Sequence, residues 1–190
     1  MRSLPWVLCV GLLSLCPPAL ARSSPPGHDT APATSRARVS FGALKGLAGA
    51  WTGTVKTDPT NPDLDGPIQV TLRVASQGSL LVHEIAPGGV PEPTMIYLEG
   101  DRLTLVHYCD AGNRPRLVAR DSTDSKIADF EFADISGSKS PLYLQRFVFT
   151  LVDPDHHTED WTFLLADDQR LHAHFDLKRA NASTSTPPGK

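Results

Sequence analysis

Histidines carry the most suggestive chemistry in this chain. His172-x-His174 falls on an alternating stretch, Arg170 to Arg179, where residues two apart share a face. Two imidazoles on one strand face can hold one metal ion. His107-x-Cys109 has the same spacing. Together these side chains would offer nitrogen and sulfur ligands in a set that suits zinc or copper. The competing arrangement puts Leu171, Ala173, Phe175 and Leu177 in the core, which leaves His172 and His174 facing water. His107 and Cys109 could also act as base and nucleophile, as in thiol hydrolases. No oxyanion arrangement is readable beside them, however, and Cys109 suits a small buried apolar position equally well.

Other polar residues are weighed in the same way. Arg114, Arg116 and Arg120 recur at even spacing on one strand pattern. A guanidinium fork matches a carboxylate, so they could recognise an anionic head group at a barrel mouth; a stripe of this kind also suits the wet face of a strand. His83 and Glu84 point to opposite faces of a strand and cannot cooperate there. His156-His157 reads as part of a solvated turn, Asp153 to His157. The chain has no Gly-rich phosphate loop, serine elbow or His-Glu-x-x-His pattern, which removes several enzyme classes.

The elements that would position these side chains are strands. About ten short alternating segments run from Trp51 to Arg179, separated by turn signals. Among them are Trp51–Thr57, Pro67–Ala75, Ser79–Ala86, Thr94–Glu99, Arg102–Cys109, Arg114–Arg120, Lys126–Phe132, Leu144–Val152 and Thr158–Leu165. Pro87 to Pro93 and Ala133 to Pro141 read as loops, and Gly100-Asp101 as a tight hairpin. Short links imply an antiparallel meander. Leu44, Leu47 and Ala48 fit one apolar turn of helix before Gly49 stops it. The expected fold is therefore all-β: an antiparallel up-and-down barrel of about ten strands with a short N-terminal plug helix.

Alternation assigns Leu103, Leu105, Phe147, Phe149, Leu151, Trp161, Phe163, Leu171 and Phe175 to the inside. A barrel of this size either fills its lumen or holds one small ligand. The expected function is binding of a small hydrophobic molecule in the lumen, contacted by Trp51, Tyr97, Leu105, His107, Arg116, Phe147, Phe149, Trp161 and Phe163. The alternatives are a haem or metal protein built on the strand histidines, His172 and His174 foremost, and a filled barrel that acts through its outer surface.

Composition sets the compartment and the partners. The chain has 190 residues, a net charge of -3 and a pI near 6.1, which argues against a nucleic-acid binder. Arg2 followed by the apolar run Leu4 to Cys16 and by Ala19-Leu20-Ala21 reads as an export signal, residues 1–21, too short to span a bilayer. A lipid anchor at Cys16 is disfavoured, because a small residue is expected before the cysteine. Cleavage at Ala21 removes Cys9 and Cys16 and leaves Cys109 without an intramolecular disulfide partner. It also lowers the basic count from 18 to 17 against 21 acidic residues, a balance of -4. A secreted or periplasmic location follows. Residues 22–38 read as a disordered linker, 39–179 as the barrel domain and 180–190 as a disordered tail holding the Asn181-Ala-Ser183 glycosylation pattern. No membrane span is expected, and oligomeric state is not readable.

The stretch Phe41 to Lys56, with its helical turn, Gly49-Ala50-Trp51 and first strand, resembles the calycin superfamily of β-barrels, which includes the lipocalins. That resemblance implies a helix closing one end and a tryptophan packed over the barrel floor. Trp51-Thr52-Gly53 also resembles the start of the ten-stranded, nitrobindin-like haem-binding barrels. By that likeness a late-strand histidine, His172 or His174, would be the axial ligand. Met95 to Leu117 is similar to uncharacterised bacterial secreted proteins, a likeness that implies no particular activity.

Overall fold

The computed structural model describes residues 35–180. The export signal, the Asn181 pattern, linker residues 22–34 and tail residues 181–190 lie outside the described residues, whereas Arg36 to Arg38, expected as the end of a disordered linker, are helical. The helix α1 spans Arg36–Lys45. It starts upstream of the expected apolar turn because Ser35 caps it, its hydroxyl accepting from the Arg38 backbone N–H at 3.4 Å. It ends at Gly46, so Leu47 and Ala48 belong to the turn that follows. Phe41, Leu44 and Leu47 are all buried.

Ten strands follow among the described residues: β1 (Gly49–Asp58), β2 (Gly66–Ala75), β3 (Leu80–Ile85), β4 (Glu92–Glu99), β5 (Arg102–His107), β6 (Asn113–Ala119), β7 (Ile127–Gly137), β8 (Tyr143–Asp153), β9 (His156–Leu164) and β10 (Arg170–Arg179). Each pairs antiparallel with the next, and β1 pairs with β10, which closes the barrel. Trp51 sits opposite Arg179 and Asp58 opposite His172 in that closing ladder. Three differences from the sequence reading matter. The β4 strand begins at Glu92, inside the expected loop. The β7 strand runs on to Gly137. The β8–β9 hairpin turns on Pro154-Asp155 alone, so His156 and His157 are strand residues.

Period-two alternation sends one side chain of each pair inward. The interior holds Trp51, Val55, Val70, Leu72, Leu81, Ile96, Leu103, Leu105, Leu117, Phe130, Phe147, Phe149, Trp161, Phe175 and Leu177. The α1 helix packs on β4 and β5 at the end where those strands meet in their hairpin. Trp51 closes the floor there: its Nε1–H donates to Leu47 O at 2.8 Å, and the Arg179 guanidinium lies 4.3 Å over its ring. Arg179 also donates to Ala48 O and Pro154 O, which ties the turn after α1 to the β8–β9 hairpin. Alternating strand direction then places Glu92, His107, Asn113, Leu164 and Arg170 at the opposite end, the mouth. No helix among the described residues is long and apolar enough to cross a membrane.

Candidate functional site

A charged network lies in the middle of the lumen. His83 on β3 faces Glu159 on β9, with its Nε2 at 3.1 Å from both carboxylate oxygens. His157 Nε2 lies 3.0 Å from Oε1, and Trp161 Nε1–H donates to Oε2 at 3.0 Å. His83, His157 and Glu159 are fully buried. A carboxylate that only accepts requires Nε2–H on both rings, and each Nδ1 is left without a partner among the described residues. Burial opposes ionisation of Glu159, but the charge of His83 and the donated hydrogen bonds of His157 and His83 outweigh it and lower its pKa to about 2. Phe147 and Phe149 stand edge-on to His83. A carboxylate so fully engaged organises the interior; its donors leave little capacity for a substrate proton.

The sequence reading missed this network, although its signal was present. Placing Trp161 and Phe163 inside fixes Glu159 and His157 on the same face by parity. The expected turn over Asp153 to His157 concealed that parity, and His157 is buried where a solvated residue was expected. His83 and Glu84 do point to opposite faces; the partner of His83 comes from the far wall, 76 residues away.

A second cluster occupies the mouth. Thr94 on β4 is opposite His107 on β5, and its Oγ1 lies 2.9 Å from His107 Nδ1. Two residues along each chain come Glu92 and Cys109, held level by the Tyr108 N–H donating to Pro93 O at 2.9 Å. His107 Nε2 lies 3.3 Å from Glu92 Oε2 but makes no hydrogen bond among the described residues. One ligand atom each from Glu92, His107 and Cys109 fall within 4.8 Å of one another. Glu92 and His107 are buried, and Cys109 is half-buried. Burial first, then the neighbouring charges of Glu92 and Asp110, push the Cys109 thiol up to about 11. Glu92 escaped the sequence reading because Pro91 and Pro93 flank it in a stretch that reads as loop.

Comparison of the chain with protein-family models and with curated proteins finds no match. Among solved structures it resembles the crystal structure of Rv2717c from M. tuberculosis, with a TM-score of 0.55 and 15% identity over 75% of this chain and 98% of that one. A protein of unknown function from the DUF3598 family of Nostoc punctiforme superposes with a TM-score of 0.49 and 9% identity, over 72% of this chain and 49% of that one. The first likeness shows a shared barrel fold.

The remaining candidate residues divide between the two faces of the wall. Trp51, Leu105, Phe147, Phe149 and Trp161 are buried inside, and Phe163 is inside and half-buried near the mouth. Tyr97 and Arg116 are on the outer face. Arg116 is engaged there by Asp134 and, at 3.2 Å, by Glu99; its hydrogen bonds hold the Asp134 carboxyl below the usual range. Arg120 pairs with Glu131 at 2.7 Å. The arginine stripe therefore serves neighbouring strands at the outer wall.

His172 and His174 are outside too, bonded to Thr162 at 3.0 Å and Asp160 at 2.6 Å. Leu171, Ala173, Phe175 and Leu177 take the inward positions of β10. The wall separates these histidines from His107 and Cys109, so the four do not form one site. A haem held from β10 does not fit either: its ligand would point to solvent, and Trp161, Phe147 and Phe149 fill the interior beside that strand. Two cavities of about 220 Å³ each lie beside α1.

Proposed function

We propose that this protein is an exported binding barrel that takes a small, mainly apolar ligand at its mouth. The observation that carries the reading is the apolar surface left accessible at the mouth. Phe163 and Leu171 point inward at the mouth and are only half-buried, in contrast with the fully buried Phe147 and Trp161 below them. Apolar residues on the surrounding strand ends and loops are also exposed: Val90 is 56%, Tyr108 42% and Ile135 39% accessible. Apolar surface of this kind, with a few polar groups beside it, favours a ligand that binds by burial and is oriented by those groups. Packing of the deeper lumen moves the site from the lumen proper to its rim.

Titration with a fluorescent fatty acid, read by tryptophan emission and that of the probe, tests the proposal. Saturable binding is expected. Phe163→Ala should weaken it by about thirtyfold, corresponding to about 2 kcal/mol of lost burial. Absence of binding, or binding indifferent to Phe163, would sink the reading and favour a filled barrel that acts through its outer wall. The export proposal is checked separately: the N-terminal residue of the protein from its own host should be Arg22.

A further inference from the structure

We propose that Glu92, His107 and Cys109 form a site for one zinc-type divalent transition-metal ion at the barrel mouth. The donor set is one carboxylate oxygen, one imidazole nitrogen and one sulfur, all within 4.8 Å of one another. A tetrahedral zinc ion holds its ligands about 3.5 Å apart, so closure asks for side-chain movements of about an ångström. A thiolate with an imidazole selects zinc and its neighbours over magnesium or calcium.

The strongest sign is His107. Its ring is fully buried, and Nε2 faces Glu92 at 3.3 Å without a hydrogen bond among the described residues. Thr94 Oγ1 at 2.9 Å is placed to accept from Nδ1–H. That assignment leaves the Nε2 lone pair directed at the cluster, the arrangement by which an outer partner fixes a metal-binding histidine. Cys109 is half-buried and gives the site an entrance. At present its thiol lies 3.6 Å from Asp110 Oδ1. On binding, the S–H bond breaks, the proton passes to water, and sulfur and metal form the new bond. Three protein ligands leave a fourth position for water or an exogenous ligand. A plain ion pair between His107 and Glu92 is the competing account; it gives no role to the sulfur.

The test uses full-length protein stripped with a chelator and titrated with Co²⁺, then with Zn²⁺. Co²⁺ bound through sulfur has an intense near-ultraviolet charge-transfer absorption, so the readout reports Cys109 itself. One equivalent per chain should produce the band, and Zn²⁺ should abolish it. Cys109→Ser should remove the band, and Glu92→Gln should weaken Co²⁺ binding at least tenfold. The His172→Ala/His174→Ala double variant should keep both band and affinity. Zn²⁺ should raise the Tm of the native protein and leave that of Cys109→Ser unmoved, with circular dichroism confirming that each variant is folded. No band in folded native protein, or binding that follows His172 and His174, overturns the proposal. The inference does not rest on the apolar-ligand reading: the cobalt band reports the metal–sulfur bond whether or not a fatty acid binds.

Discussion

The Glu159 carboxylate takes N–H groups from His83, His157 and Trp161 with no surface exposed to water. Hydrogen bonds to a buried charge are individually strong, and removing that charge leaves its donors facing nothing suitable. Glu159→Gln turns an amide NH₂ toward N–H donors and should cost about 3 kcal/mol at pH 7, measured by urea denaturation. The same residue sets a pH dependence. Folding lowers its pKa from 4.5 to about 2. A depressed carboxylate contributes stability that is fully present above the unfolded value and is lost as pH falls through the folded one. The gap between native protein and Glu159→Gln should therefore narrow from pH 4.5 down toward pH 2. A gap that stays constant over that window contradicts the assignment.

At the level of elements, closure depends on how near β1 can come to β10. Gly53 lies opposite Leu177, and a Cβ built on it would stand 1.8 Å from the backbone oxygen of Asp176. Backbone cannot swing aside as a side chain can. Gly53→Ala should therefore cost about 3 kcal/mol and loosen hydrogen exchange along β1 and β10 first. Gly42 provides the contrast, because it lies within α1 with nothing within 4 Å of a built Cβ. Gly42→Ala should raise stability by roughly 1 kcal/mol, since alanine loses less backbone freedom on entering a helix. Equal losses at both glycines would show that space in the closing ladder is not what matters.

The whole molecule divides its tasks between its ends. Leu44 on α1 is 1% exposed and seals the plug end, far from the half-buried Phe163 at the mouth. Leu44→Ala should lower stability by about 3 kcal/mol and leave fatty-acid affinity unchanged in protein that remains folded. Phe163→Ala should do the reverse, weakening the probe with little change in denaturation midpoint. Coupled losses in both variants would show that the barrel behaves as one unit and that the mouth is not a separable site.

Much of this architecture was legible in the residues. Short segments such as Leu144 to Val152 and Arg170 to Arg179 alternate with period two, and a meander of such strands closes on itself. The plug turn around Leu44 was legible from its local spacing, whereas the floor position of Trp51 was what the resemblance to calycin barrels implied. The site was legible only in part. His107 and Cys109 stood out by spacing, but Glu92 joined them only through the β4–β5 register. Parity along one strand says which residues share a face; it cannot say which strand stands across the lumen. His83 and Glu159 meet over 76 residues because closure brings β3 opposite β9. Likewise Arg116, His172 and His174 had the right chemistry, and the inward turn of their neighbours Leu117, Leu171 and Ala173 left them outside. The sequence by itself determined the strands and their two faces, because those follow from local backbone geometry. Tertiary structure alone decided which polar groups meet, because that depends on the closed ring of strands and on the packing that fills it.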